Sequence, residues 1–354
     1  MGLFGKMNNR TRRVGLDIGS SSLKLVEIQD DKGELVLTAA GIRTLKPGVV
    51  ENGDIKDEDA FVSAVKALVE NCNTDIQEVT ISLGGQGILS DKMVVKVEDG
   101  DDQDTAIRFD ASRRSPFDAS DITMDYKTLR HFPENNEVEV LLVAAKNQIM
   151  ERYIDVLYEA DLKPVCVDVS TFAFNNCYSK ESYAEPAVPT LVLMDIGHTA
   201  ARIVFVKDGL FHSTREITTA GDYFAKVVER QLKISSDDAH NLLRGREVEG
   251  VDQEAFHDSL EYAMEEFVLS FDMAFSYYRK SEDVETIDKI VLSGGGSYIP
   301  GIAEYLQRRV DTEVVRSDPF SFLGFKEGLF GDTDPSQFSA LLTVAVGLAL
   351  RKVR

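Results

Sequence analysis

No stretch of about 18 apolar residues occurs in this 354-residue chain, so no segment reads as a bilayer-spanning helix. The longest apolar runs, such as Leu141–Ala145 and Val344–Leu350, have the length of a strand or a short helix. Cysteine is scarce. Cys72, Cys166 and Cys177 are all there are, and their spacing fits no metal site. An odd count without a framework fits a reducing compartment, and Cys166, in an apolar strand pattern, is expected to be a buried thiol. Positive charge is also short: 39 Lys and Arg stand against 60 Asp and Glu, a formal net charge of -21. A phosphate backbone would repel such a chain unless a local basic stripe existed. Arg113–Arg114 and Arg308–Arg309 are only pairs, so nucleic acid is not an expected partner. The opening MGLFGKMNNRTRR has no apolar h-region and no small-residue cleavage site, so no secretory signal is expected. Gly2 invites myristoylation, but Lys6 stands where that motif needs Ser or Thr. Residues 1–12 are expected to form a flexible tail. The alternative is a weak surface anchor, with Leu3 and Phe4 in lipid and Lys6, Arg10, Arg12 and Arg13 against acidic headgroups.

The length suggests two lobes or more rather than one core. Strand and helix patterns alternate, which predicts an α/β fold. Val14–Ile18, Leu23–Ile28, Leu35–Ala39, Val79–Leu83 and Val138–Ala144 read as strands, and so do Val165–Val169 and Leu191–Ile196. Asp57 is a candidate cap for a helix with Phe61, Ala64, Val65, Leu68 and Val69 on its apolar face. Lys146 leads into a second helix, and 253–280 has the 3.6-residue period of a long core-packing helix. Residues 84–146, with the acidic run 98–104, look like a small insertion. Residues 179–189 are polar and proline-bearing, a candidate crossing between lobes. A terminal helix is expected over Phe338–Leu350, with Arg351, Lys352 and Arg354 suiting its dipole.

The most informative feature is an internal echo. Residues 14–28 read VGLDIGSSSLKLVEI and residues 191–206 read LVLMDIGHTAARIVFV. Each is an apolar strand ending in Asp-Ile-Gly, a short turn of small residues, and a second apolar strand. Such an echo suggests two related lobes facing one another. A hairpin turn aims backbone N–H groups at one point and makes an anion-binding concavity. Gly19 and Gly197 allow close approach to phosphate. Ser20, Ser21 and Ser22 add hydroxyl donors, and Lys24 can set a cation against a phosphate oxygen. Asp17 and Asp195, one per lobe, are placed to hold a hydrated Mg²⁺ between them. Taken singly, a DIG is an ordinary strand end and Lys24 is more often a solvated side chain; the pair together with a third motif is far less accidental. A third motif, IVLSGGGSYIPGIAEYL at 290–306, runs from a strand into Gly294, Gly295 and Gly296. Three glycines allow a flat base or ribose to lie on backbone, and Pro300 is expected to open a helix as its first residue. The spacing fits neither a Walker A loop nor a dinucleotide-binding GxGxxG.

Two DIG hairpins and a late SGGG loop, in this order, resemble the superfamily of actin, the heat-shock chaperones and the sugar kinases. Within it the chain resembles the PilM family of type IV pilus assembly proteins, relatives of the cell-division protein FtsA. The match runs over nearly the whole chain, through GLDIGSSSLKLVEI at 15–28, SPFDASDI at 115–122, EVLLVAAKNQIMERY at 139–153, EADLKPVCVDVSTFAF at 159–174, LSGGGSYIPGI at 292–302 and TVAVGLALRK at 343–352. The resemblance implies a two-lobed actin-like fold of the ribonuclease H-like class. Subdomain 1A would comprise 13–83, 147–188 and 336–354, an FtsA/PilM-type 1C insertion 84–146, and the second lobe (2A/2B) 189–335. It implies ATP or ADP with Mg²⁺ in the inter-lobe cleft, bound by Asp17, Gly19, Ser20, Ser21, Ser22, Lys24, Asp195, Gly197, His198, Thr199, Gly221, Gly294, Gly295 and Gly296. It further implies a groove between 1A and 1C for the cytoplasmic N-terminal peptide of a PilN-like inner-membrane protein, contacts with pilus platform and motor proteins, and self-association into a ring. The location would be cytoplasmic, at the inner face of the inner membrane and peripheral to it through partners.

Several positions depart from the family pattern. Ala200 and Ala201 remove hydroxyls expected late in the second turn, Ala220 precedes Gly221 where a glycine pair is common, and His240 and Leu243 replace a glutamate and a lysine. These changes predict weaker nucleotide binding and slow or absent hydrolysis. No second histidine or carboxylate stands at useful sequence spacing from His240, which favours a packing role over a base or ligand. Asp168 is the one candidate for orienting a water; the alternative is a strand-end cap. Two other functions compete with a scaffold. A small-molecule kinase needs an active-site carboxylate facing an acceptor, and none is evident. An FtsA-like filament former is expected to carry a C-terminal amphipathic helix beyond Leu350.

Overall fold

Residues 10–352, apart from 86, 99, 101, 183–187 and 283, are described in this computed structural model. Along the chain, β1 (Arg10–Ile18), β2 (Ser22–Asp31) and β3 (Glu34–Thr44) form an antiparallel meander. The short strands β4 (Val50–Glu51) and β5 (Asp54–Ile55) pair ahead of α1 (Glu58–Cys72). Helix α1 starts where the Asp57 carboxylate accepts the Ala60 N–H at 3.0 Å, and Asn73 ends it in the left-handed region. It buries Phe61, Val65 and Leu68 against the sheet. Strand β6 (Glu78–Leu83) follows. Next come β7 (Ile88–Lys96), α2 (Gln103–Arg114, capped by Asp102), β8 (Ile122–Phe132) and β9 (Glu137–Lys146). The three strands make a separate sheet, β7-β9-β8, and α2 shares with it a small core of Met93, Val95, Ile107, Ala111, Val138, Val140 and Leu142.

The chain returns through α3 (Asn147–Glu159), β10 (Lys163–Val169) and α4 (Ser170–Glu181). A second meander, β11 (Thr190–Ile196), β12 (Ala201–Lys207) and β13 (Leu210–Ile217), opens the other half. Helices α5 (Gly221–Leu232), α6 (Ser236–Leu243) and α7 (Gln253–Glu282) come next. Then follow β14 (Lys289–Ser293), α8 (Ile302–Val310), β15 (Glu313–Arg316), β16 (Gly324–Phe325) and α9 (Thr343–Ala349).

The sheet orders show the duplication. The first sheet runs β10-β6-β1-β2-β3-β16 and the second β13-β12-β11-β14-β15. In each, a three-strand antiparallel meander is joined on the side of its first strand by two parallel strands. Helices α4 and α9 lie between the sheets. Every residue of α9 is buried, as expected of a helix apolar all round. A Cβ at Gly15 would strike the α9 backbone, and one at Gly347 would strike the carbonyl of Ala173 on α4. Both glycines therefore let the three backbones stack closely.

Several expectations need correction. Residues 1–9, including Gly2, Leu3, Phe4 and Lys6, lie outside the described residues, and residues 10–12 of the expected tail belong to β1. Arg12 donates to both oxygens of the buried Glu27 at 2.9 Å, and Arg13 lies 2.9 Å from Asp30, so these two arginines are held in the fold. Of the acidic run 98–104, residues 99 and 101 lie outside the described residues, as do 183–187 of the supposed crossing 179–189, whose start belongs to α4. The terminal helix covers only Thr343–Ala349. Two 3₁₀ turns precede it, because Phe338 (φ -141, ψ 7) breaks the helical backbone. Pro300 does not open α8. Gly301, left-handed at φ 77, is its cap, and Ile302 is its first residue. Cys166 is only half-buried, since β10 is an edge strand.

Candidate functional site

The closing pairs Ile18↔Leu23 and Ile196↔Ala201 leave residues 19–22 and 197–200 as the two loops. Each loop closes in the same way. Gly19 N–H donates to Ser22 O at 3.1 Å and Gly197 N–H to Ala200 O at 3.0 Å. A Cβ would stand 3.0 Å from the first acceptor and 2.9 Å from the second, so the closure itself calls for glycine. The loops meet across the gap between the lobes, with Ser20 Oγ and Thr199 Oγ1 3.2 Å apart. Around them lies one cleft with a cavity of about 250 Å³. Its walls carry Asp17, Gly19, Ser20, Ser21, Ser22 and Lys24 from the first hairpin, and Asp195, Gly197, His198 and Thr199 from the second. Gly221 at the start of α5 and Gly294, Gly295 and Gly296 after β14 complete it. The sequence-derived residues thus share one cleft, with Asp168 the exception.

The register sets Lys24 opposite Asp17 and Arg202 opposite Asp195. Lys24 Nζ donates to Asp17 Oδ2 at 3.0 Å. Arg202 instead lies 3.2 Å from Glu216 and rests its guanidinium on Gly84 of the other lobe. Sequence reasoning missed Arg202, although it stands seven residues after Asp195 as Lys24 does after Asp17. Asp195 is part-buried at the cleft wall, and Ser293 Oγ donates to its Oδ1 at 3.1 Å. Burial, and then the charge of Asp17, push its carboxyl above the usual carboxylate range. Two acidic oxygens sets facing one cleft, one of them disfavoured as a bare anion, suit a hydrated hard cation.

The triple glycine works differently from the expected flat floor. A Cβ on Gly294 (φ +78) would come within 2.6 Å of Asp195 Oδ1 and Ile196 O, and one on Gly296 would strike Ile196. Only Gly295 faces open space, with Leu341 the nearest atom at 3.8 Å. Two of the glycines therefore seat the loop on the end of β11. His240 also differs from its reading. Its ring lies 5.8 Å from that of His198, so the fold supplies the second histidine that the spacing hid. Both rings line the cleft together with Arg244. Burial holds His198 below the usual imidazole value; His240, Lys226 and Arg244 push the same way and Asp222 opposes them.

Asp168 points elsewhere. Its Oδ1 accepts its neighbour Val169 N–H at 2.8 Å and its Oδ2 lies 3.5 Å from Arg351 Nε. Burial raises its carboxyl, and Arg351 restrains the rise. Arg351, expected to serve the dipole of α9, is thus engaged by Asp168. Ser170, two residues on, is the part of this segment that reaches the cleft wall.

Two sheets of one design, crossing helices between them and paired aspartate hairpins at a shared cleft define an actin-like protein. Solved structures similar over almost the whole chain bear this out. One is a chain of a PilM–PilN type IV pilus biogenesis complex, 23% identical, TM-score 0.84, over 97% of this chain and 98% of that one. Another is the ethanolamine utilization protein EutJ from Carboxydothermus hydrogenoformans, 15% identical, TM-score 0.56, over 96% and 89%. A third is MreB5 of Spiroplasma citri bound to ADP, 12% identical, TM-score 0.50, over 95% and 94%. The model of the family "type IV pilus assembly protein PilM" matches residues 15–353, and the chain belongs to that family.

Proposed function

We propose that this type IV pilus assembly protein is a nucleotide-controlled scaffold. It binds ADP or ATP with Mg²⁺ in the cleft and grips the N-terminal cytoplasmic peptide of a PilN-like inner-membrane protein. The observation that carries the nucleotide half is the meeting of two identically closed loops, Ser20 to Thr199 at 3.2 Å, with one aspartate behind each. Hairpin turns of this kind offer backbone N–H donors, for which a polyphosphate would supply the acceptors. Lys24 and the serine hydroxyls neutralise and bond it. Asp17 and Asp195 would hold Mg²⁺ through its waters, and Mg²⁺ would supply charge to offset that of the phosphates. Gly295 leaves space for the nucleoside. Ligand bound to both loops favours the closed form by its differential affinity for that form. Hydrolysis is slow or absent, because Asp168 is engaged with Arg351 and Ala200 offers no hydroxyl.

The partner half rests on the family and on the PilN named with one of the similar structures. The seat is the groove between subdomain 1A (13–83, 147–188, 336–354) and the 1C insertion (84–146), and the second lobe is 189–335. Assembly into a ring, contact with platform and motor proteins, and a position at the cytoplasmic face of the inner membrane complete the proposal. Among the described residues no helix is long and apolar enough to cross a membrane. The test is a pair of titrations on the full chain: a fluorescent ADP analogue with and without Mg²⁺, and a PilN-type N-terminal peptide with and without nucleotide. Saturable, Mg²⁺-strengthened nucleotide binding and peptide capture are expected. Sub-micromolar ATP affinity would contradict the weakened cleft, and no nucleotide binding at millimolar concentration would remove it.

A further inference from the structure

A second cavity, of about 430 Å³, opens beside the cleft and shares Gly84, Gly85, Ser170, Arg202 and Glu216 with it. Three parts of the chain meet there: the 84–91 entry to the insertion, the first turn of α4, and β13 with Tyr277 of α7. None of the residues assigned above to nucleotide or cation binding from the sequence lines it. Helix α4 is 12 residues long, and no side chain caps its start. The N–H groups of its first turn lack intrahelical acceptors and carry the positive end of the helix dipole. Ser170 and Thr171, on that turn, line the cavity and are only 7% and 6% exposed. Neither Ser170 Oγ nor Thr171 Oγ1 has a hydrogen-bond partner. Buried hydroxyls in that condition are rare, because each forfeits its bonds to water.

Two arginines face the same space. Arg202 shares its charge with Glu216. Arg215 donates to the Thr214 carbonyl at 2.6 Å, and its guanidinium carbon lies 4.2 Å from the centre of the Tyr277 ring. Among the described residues no carboxylate pairs with Arg215. Asp91 also lines the cavity, with its Oδ1 accepting the N–H of Lys92. The lining side chains thus balance in charge, and the uncapped helix end and idle hydroxyl donors tip the site toward an anion.

We propose that this cavity is a second ligand site and that it takes a phosphate group. A tetrahedral oxyanion offers acceptors at once to the α4 N–H groups, to the two hydroxyls and to a guanidinium. Free inorganic phosphate and the terminal phosphate of a nucleotide in the adjoining cleft share this chemistry. The site does not require nucleotide in the cleft, so it stands or falls separately from the function proposed above.

The test is equilibrium dialysis of the full chain against radiolabelled inorganic phosphate, with the protein alone, saturated with ADP, or saturated with the non-hydrolysable analogue AMPPNP. ADP affinity is measured on the same samples. One saturable phosphate per chain is expected for the protein alone and with ADP. Thr171→Val and Arg215→Gln each weaken it about tenfold or more while ADP affinity stays the same. Thr171→Val keeps the shape and removes an unpaired hydroxyl, so its Tm stays at or above that of the parent. Phosphate displaced by AMPPNP but not by ADP assigns the site to the nucleotide's terminal phosphate. Phosphate retained in all three states assigns it to the free anion. No saturable phosphate binding, or parental binding in both variants, overturns the proposal. Loss of ADP binding alone would count only against the cleft.

Discussion

The hairpin of the first lobe carries three serines and a lysine around its Asp-Ile-Gly, and the hairpin of the second carries His198, Thr199, two alanines and an arginine. Their backbones close in the same manner, glycine N–H to the carbonyl three residues on. The geometry of the pair therefore belongs to the glycine and the strand register, and the chemistry to the other side chains. In the first hairpin the cation is bound to its own aspartate, Lys24 to Asp17. In the second it reaches out of the hairpin, Arg202 to Glu216 and Gly84. In the proposed function the first loop bonds the anion, while the second places Arg202 against Gly84 of the other lobe.

The largest effect is expected at the aspartates. Asp195→Asn is expected to remove the Mg²⁺-dependent part of ADP binding, about 2–3 kcal/mol or roughly a hundredfold in affinity. It should also raise the melting temperature of the free protein. The raised carboxyl of Asp195 means that its ionised form disfavours the fold. That penalty applies at neutral pH and fades as pH falls through the raised value. Calorimetry of the variant with and without Mg²⁺ reads both effects, and an unchanged Mg²⁺ response would rule out the bridging cation.

A smaller contrast separates the two cations. Lys24→Ala should cost about tenfold in nucleotide affinity, the value of a bond to a charged group. Arg202→Ala should cost less in affinity but speed amide hydrogen exchange at Gly84 and Gly85, where its guanidinium rests. Equal affinity losses with unchanged exchange would make the two hairpins equivalent after all.

The third contrast is in pH. His198 sits below its ordinary pKa, first through burial and then through His240, Lys226 and Arg244. A depressed imidazole is neutral in the fold, so folding stability from it is present above the unfolded value near 6.5 and is lost as pH falls below it. A polyphosphate beside it raises the pKa again, so binding takes up a proton. ADP affinity is therefore expected to strengthen as pH falls from about 7.5 toward 6, by less than about tenfold per unit, and His198→Gln should flatten the profile. The smallest effect belongs to Ala200→Ser, which returns a hydroxyl to the second loop. A threefold to tenfold gain in affinity is expected, from about 0.5–1.5 kcal/mol, read by titration with the same fluorescent analogue.

What the sequence makes legible follows from what is local. Hairpins, the Asp57 cap and the strand-to-loop passage at 290–296 are written in neighbouring residues, and they appear where the patterns put them. The apolar period of α9 is equally plain. Its length is not, because Phe338 breaks the helix and the buried stack of Gly15, α9 and α4 is set by residues far apart in the chain. The same holds within the cleft. The meeting of His198 with His240, the capture of Asp168 by Arg351, and the use of Gly294 and Gly296 to seat a loop on Ile196 are all long-range events. Arg202 is the exception that the echo contained all along, at the same offset from its aspartate as Lys24.

In the proposed function two hairpins, one per lobe, hold a single nucleotide through a shared cation. A co-crystal with AMPPNP and Mn²⁺, read by the anomalous signal of the metal, tests it most directly. One manganese peak is expected between Asp17 and Asp195, with the phosphates touching both glycine-closed loops. A nucleotide bound by one loop alone, or a metal away from both aspartates, would contradict it.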